Sequence, residues 1–150
     1  MSDDWIEKAA AKKRLDEQRE QNDLTLTLYA DQGSPRYFAR LAQRVRTDAN
    51  RYRELSGQDI VVEPDTNTRE VVVRKPSYPA VKIQIELKGT AIEVEYARTR
   101  TAGASIVRDG LVFAIRALAP DDLYVAEPGD PSVRIEIPEL SRRILAPLTE

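Results

Sequence analysis

The spacing of apolar residues divides the chain at Gly57. In Ser34–Gly57, apolar positions recur every three or four residues, as in an amphipathic helix; after Gly57 they alternate with polar ones, as in strands. The pattern predicts an α+β protein with N-terminal helices, then an antiparallel meander of about six or seven strands and a short C-terminal helix. One face of the sheet should be covered by the Ser34–Gly57 helix and the C-terminal helix.

The segment Ser34–Gly57 is predicted to be the central helix of the fold. A serine oxygen can accept hydrogen bonds from free N–H groups, and proline suits the first helical position, so Ser34 and Pro35 indicate a helix start. Gly57 indicates the end, which places the helix from about Pro35 to Ser56. The following residues form its apolar face or the margins of that face: Phe38, Leu41, Val45, Ala49 and Tyr52, with Tyr37, Ala42 and Leu55 at the margins.

The N-terminal segment is rich in good helix formers but poor in large apolar residues. We expect residues 1–22 to form an exposed helical arm, with a docked helix as the alternative, and residues 23–150 to form a single α+β domain. Leu24–Tyr29 alternates like a strand, yet no breaker precedes Gly33, so we interpret it as helix. Asp31–Gly33 should then make a turn before the central helix.

The remaining apolar residues predict strands separated by turns. The predicted strands are Ile60–Glu63, Glu70–Lys75, Val81–Leu87, Ile92–Tyr96, Leu111–Ala117, Leu123–Ala126 and Val133–Ile137. Pro64–Arg69 should close the first hairpin, Lys75–Pro79 should be a connection, and Thr101–Asp109 should be a loop. Leu111–Ala117 is apolar on both faces, which indicates a central or doubly covered strand. Pro138 should begin a helix that extends to about Ala146.

Two registers are open for the hairpin around Gly89. A turn at Lys88-Gly89 would place Lys82 opposite Glu95, whereas a turn at Gly89-Thr90 would place Glu86 opposite Glu93. Opposed like charges penalise the second register, although glycine in the first turn position favours it. We predict the first register.

The composition excludes several kinds of catalytic and binding site. The chain has no cysteine and no histidine, so it has no thiolate nucleophile, disulfide or imidazole base. The adjacent acids Asp3-Asp4 and Asp121-Asp122 lie in a terminus and a turn, where carboxylates are usually solvated, and we predict no metal and no cofactor. No apolar run is long enough to span a bilayer and the first residues are acidic, so we expect a soluble cytoplasmic protein that does not contact a membrane.

One candidate ligand site follows the fourth predicted strand. Arg98 and Arg100 continue the apolar face that ends at Tyr96, and arginine forks match carboxylate and phosphate groups. These residues could therefore receive a small anion in a pocket between helix and sheet. The alternative is that the arginines cap helix-end carbonyls or pair with acids of the next element.

Partner binding is the second possibility. Trp5 is the single large aromatic residue of the arm, and Arg40, Arg44 and Arg51 belong to an arginine stripe on one flank of the central helix. The arginines lie on both flanks of an apolar face, and the net charge is −2, so we predict no meaningful affinity for nucleic acid. We expect a non-catalytic interaction or structural module that binds a protein or itself. The alternative is anion or ligand binding, including enzymatic activity, near Arg98 and Arg100, and the second alternative is nucleic-acid binding through the arginine-rich helix.

Overall fold

A computed structural model describes residues 4–63 and 68–150. A helix, α1, precedes seven strands, and α2 and a short 3-10 helix close the chain. Their bounds are α1 Asp4–Ser56, β1 Val61–Val62, β2 Glu70–Lys75, β3 Ala80–Lys88, β4 Ala91–Thr99, β5 Val107–Ala119, β6 Asp122–Glu127, β7 Asp130–Ile135, α2 Ile137–Leu145 and the 3-10 helix Ala146–Thr149.

The strands form one antiparallel sheet in the order β1-β2-β3-β4-β5-β6-β7. Each strand therefore pairs with its neighbours in sequence, and the predicted α+β meander is confirmed. The predicted hairpin loop Pro64–Arg69 falls largely on residues 64–67, which lie outside the described residues.

The largest departure from prediction is the continuity of α1, which has 53 residues. The interpretation of Leu24–Tyr29 as helix is confirmed, whereas the turn at Asp31–Gly33 and the helix start at Pro35 are wrong. Ser34 does not cap a helix end. It lies buried inside the helix, and its hydroxyl donates to the Ala30 carbonyl at 2.5 Å, one turn earlier.

Burial explains why the helix continues through this weak point. Ala30, Gly33 and Ser34 are all buried, so this turn of α1 packs against the rest of the domain. A Cβ on Gly33 would lie 2.6 Å from Leu123 Cδ2, which shows how closely α1 crosses β6 here. Tertiary packing thus outweighs the local preference for a break. The predicted helix end is confirmed, because Gly57 has a φ of +70° and its N–H donates to the Arg53 carbonyl.

The apolar face of α1 packs on one face of the sheet. Phe38, Leu41, Val45 and Ala49 are fully buried, and Tyr52 packs against the same core at its edge. The sheet contributes alternate residues of β2 to β5, such as Val73, Ile83, Ile85, Ile92 and Val94. Leu140, Ile144 and Leu148 complete the core from the C-terminal helices, as their spacing predicts. On the opposite face, β3 and β4 carry polar side chains such as Lys82, Gln84, Glu93 and Glu95, whereas β5 exposes Val112 and Leu118.

The preferred register of the β3–β4 hairpin is wrong. Lys88 pairs with Ala91 and Glu86 pairs with Glu93, so Gly89-Thr90 is the turn. Gly89 adopts a φ of +61° as the first turn residue, which only glycine does easily. The facing glutamates are compensated, because Lys88 Nζ lies 2.9 Å from a carboxylate oxygen of Glu93. Turn geometry therefore outweighs one repulsive pair.

Strand β5 begins at Val107 rather than at Leu111, so part of the predicted Thr101–Asp109 loop is strand. Its added residues pair with β4, with Val107 opposite Arg98 and Gly110 opposite Glu95. Gly110 lies within the strand, where a Cβ would be 2.8 Å from the Val94 carbonyl oxygen. The strand is central in the sheet but not doubly covered, since Val112 on the outer face is exposed.

Candidate functional site

The predicted anion site contains Arg98 at the end of β4. Its two terminal nitrogens are engaged: Nη1 donates to Glu150 at 3.1 Å, and Nη2 donates to Asp109 on β5 at 3.3 Å. Two carboxylates thus surround the guanidinium, which is one-third exposed. This arrangement matches the alternative in which the arginine pairs with acids of neighbouring elements. An incoming anion would have to displace one of them.

Tyr96 lies next to Arg98 on the same face of β4 and connects the sheet to α2. Its buried hydroxyl donates to the Ile144 carbonyl at 2.8 Å. The last carbonyls of a helix have no partner inside the helix, so Tyr96 satisfies one of them at the end of α2. Burial, which outweighs the opposing effect of Arg98, raises the pKa of Tyr96 to about 12, so the hydroxyl remains a donor at neutral pH.

We expect Tyr96→Phe to lower the free energy of unfolding by about 1–2 kcal/mol, because the substitution leaves the buried Ile144 carbonyl without its donor. Urea denaturation of the variant and the parent would measure the difference. Tyr78→Phe is the matched control, since Tyr78 is exposed. Equal stability of Tyr96→Phe and the parent would contradict the capping role.

Arg100 does not join Arg98. It is exposed and, within the described part of the chain, makes no ion pair or side-chain hydrogen bond. A groove of about 520 Å³ lies on the outer face of β3, β4 and β5, and Tyr96 is among its lining residues, but neither arginine lines it. The structure therefore brings Tyr96 and Arg98 together and leaves Arg100 apart.

The predicted partner-binding residues are also separated. Arg44 forms an ion pair with Asp48 at 3.0 Å, and Asp48 accepts a hydrogen bond from Ser141 of α2, so Arg44 belongs to the contact between the helices. Arg40 and Arg51 are exposed further along α1. Trp5 precedes Arg40 by 35 residues, or about 50 Å of helix. Trp5 and the arginines therefore cannot form one contact surface within a single chain.

The most unusual surface is the N-terminal part of α1, which we call the arm, residues 4–25. Every arm residue is exposed. Trp5 is 68% exposed, Ile6 48% and Leu24 70%. The arm continues without interruption into the buried part of the same helix, so the core presents these side chains to solvent on a defined axis.

The charges of the arm are arranged in two blocks. Residues 8–14 contain four basic side chains and no acid, whereas residues 16–23 contain four acids and one arginine. Within the described residues, none of these side chains has a resolved ion pair. Sequence reasoning treated the arm as a solvated helix, and the division of its charges around Leu15 was missed although it is visible in the sequence.

Within residues 4–63 and 68–150, no helix is both long enough and apolar enough to cross a membrane. The same residues contain no group of three or more acidic side chains that could hold a metal ion. Comparisons with family models, curated proteins and solved structures give no match. The surfaces described above are therefore the basis for any proposal about function.

Proposed function

We propose that the protein is a non-catalytic interaction module whose docking element is the arm. The observation that carries the proposal is that every residue from 4 to 25 is exposed, on a helix whose other end is buried in the core. A helix that is polar nearly all round gains little stability from packing on its own domain, because it has little apolar surface to bury there. Such a helix is favoured when it contacts another molecule.

Pre-organisation supports this role. A segment that folds only on binding loses conformational entropy at that step, and the loss weakens its affinity. Here Ala30, Ser34, Phe38 and Leu41 anchor the same helix in the core. The anchored turns serve as a nucleus for the arm, because extending an existing helix avoids the unfavourable first turn.

The expected partner is a protein surface. Residues 8–14 carry a charge of +4, but residues 16–23 carry −3, so the arm as a whole offers no continuous basic surface to phosphates. On the buried half of α1, Arg44 pairs with Asp48 and Arg46 donates to the Glu70 carbonyl at 3.5 Å, which places these arginines in structural contacts. A partner with complementary charge blocks and a few apolar contacts fits the arm better than nucleic acid does.

Deletion of residues 1–22, which removes all but the last three residues of the arm, should leave a folded domain that no longer binds its protein partner. Because the arm contributes no buried residue, we expect the thermal midpoint to change by less than about 4 °C. Differential scanning calorimetry measures the midpoint, and sedimentation velocity measures the loss of association. A midpoint lowered by more than about 8 °C would show that the arm is part of the cooperative unit.

The binding surface can be located with a photo-reactive phenylalanine analogue placed at Trp5. The matched control carries the same group at Val112, which is 66% exposed but lies on the outer face of the sheet. We expect the group at position 5 to form a covalent product between this chain and its protein partner, and the group at position 112 to form little of that product. Cross-links confined to position 112 would instead assign the interaction to the sheet.

A further inference from the structure

The arm has one face that is complementary to itself. Residues three or four apart lie on the same side of a helix, and one such stripe faces away from the sheet. Its members are Ile6, Ala10, Lys13, Glu17, Glu20 and Leu24. This stripe, which we call the seam, alternates in steps of four and three residues, as the contact positions of a coiled coil do. It carries Ile6 and Ala10 at one end, Lys13 and Glu17 at its centre, and Glu20 and Leu24 at the other end.

We propose that the arm docks on the arm of a second copy of this chain, as an antiparallel helix pair centred on Leu15. This proposal rests on the proposed function and names the partner. Around that centre, residue i faces the partner residue whose number is 30 minus i. Ile6 then faces Leu24, and Lys13 faces Glu17. Each contact occurs twice, as the two-fold symmetry of a dimer requires.

The charge blocks select this orientation. In the antiparallel pair, the basic residues 8–14 lie along residues 16–22 of the partner, where acids predominate. A parallel pair would instead place Lys13 against Lys13 and Glu17 against Glu17. Like charges in direct contact disfavour an interface, so the two orientations differ in free energy through their charges.

The register is selected in the same way. A shift by one heptad in one direction places Ile6 against Glu17, and a shift in the other direction places Ile6 against Asp31 and Lys13 against Leu24. In the proposed register the unpaired charge is Glu20, which faces the small Ala10, whereas each shift removes the contact between Lys13 and Glu17 and places a charge against the large apolar Ile6. Polar residues at contact positions reduce stability but fix register and orientation. The central Lys13 and Glu17 have this effect.

The geometry of the domain leaves the seam accessible. Leu24 and Leu28 are exposed, while Leu26, between them, lines a groove together with Leu118 of β5 and Tyr124 of β6. A second helix can therefore approach the seam without contacting the sheet of the chain that carries the seam. Leu15 is on the opposite side of the arm from Ile6 and Leu24, because nine residues correspond to about two and a half turns.

The decisive test uses charge reversal with mixing. Lys13→Glu gives two acidic centres in a homodimer and Glu17→Lys gives two basic ones, so we expect each variant alone to associate about tenfold more weakly or not at all. An equimolar mixture should recover the parental association, since both contacts are again between opposite charges. Mixing cannot relieve repulsion within one helix, so recovery reports contact between chains.

Sedimentation equilibrium on the full chain, at up to about 100 μM, covers dissociation constants from micromolar to weaker values. Ile6→Asp should abolish the dimer, whereas Leu15→Asp, on the opposite face, should leave it unchanged. A mixture that stays monomeric, or a dimer that is insensitive to Ile6→Asp, would overturn the proposal.

Cysteine cross-linking tests the register directly, because the chain has no cysteine of its own. An oxidised mixture of Ile6→Cys and Leu24→Cys should give the mixed disulfide. Ile6→Cys alone should give little, since its two positions would be about 27 Å apart in the antiparallel pair. Predominant disulfides between two copies of Ile6→Cys would show a parallel pair and overturn the proposal.

The parental chain provides the last distinction. If it remains monomeric at about 100 μM, self-pairing is wrong. If, in addition, the photo-reactive group at Trp5 cross-links a different protein, the proposed function stands with another partner. If that group cross-links nothing, both proposals are wrong.

Discussion

Val45→Asp is expected to leave the protein unfolded or aggregated under conditions in which the parent is native. Val45 lies in the middle of the apolar face of α1, and its side chain has no exposed surface. The variant loses about 2 kcal/mol of apolar burial and must also place a carboxylate among Phe38, Leu41 and the sheet, which costs several more. Domains of this size are stable by only about 5–15 kcal/mol, so little or no margin remains.

Thr47→Asp is the matched control for this prediction. It introduces the same side chain two residues away on the same helix, at an exposed position. We expect its free energy of unfolding to change by about 0.5 kcal/mol or less. Circular dichroism and urea denaturation would distinguish the variants. If Val45→Asp melted like Thr47→Asp, α1 could not be the element on which the sheet packs.

The apolar periodicity was sufficient for the fold because each buried face repeats over many residues. Phe38, Leu41, Val45 and Ala49 specify one face of α1, and the alternation of β3 and β4 specifies one face of the sheet. Where a decision depended on one or two residues, local reasoning failed. The β3–β4 register was decided by the conformation of Gly89, and the start of β5 was decided by its pairing with β4.

The candidate anion site illustrates a different limit. Alternation correctly placed Tyr96 and Arg98 on the same face of β4, but it could not identify the partners of Arg98. Asp109 lies 11 residues away and Glu150 lies 52 residues away, and both reach the guanidinium only through the folding of β5 and the C-terminal segment. Spacing along one strand carries no information about such contacts.

The failure at Ser34 and Pro35 has a physical cause. These two residues have the features of a helix start, and proline cannot donate to the Asp31 carbonyl one turn earlier. The local sequence therefore favours ending the helix here. The helix continues because Ala30, Gly33 and Ser34 are buried against the sheet and because residues 4–29 contain mostly good helix formers. Packing overrides an unfavourable residue rather than removing its cost.

This reasoning predicts that Pro35→Ala stabilises the protein. An interior proline costs about 3 kcal/mol relative to alanine in a helix, of which up to about 1 kcal/mol is offset because proline restricts the unfolded chain. A net gain of about 2 kcal/mol should raise the thermal midpoint by about 4–8 °C. Pro35 is exposed, so the smaller side chain leaves no cavity in the core.

Pro138→Ala is the control, since Pro138 is also exposed but occupies the first turn of α2, where a missing N–H has no effect. We expect Pro138→Ala to leave the thermal midpoint unchanged. Calorimetry gives the midpoints, and hydrogen exchange should show slower exchange of the amides from residue 26 to residue 38 in Pro35→Ala alone. An unchanged or lower midpoint would indicate that the helix does not gain the bond between residues 31 and 35.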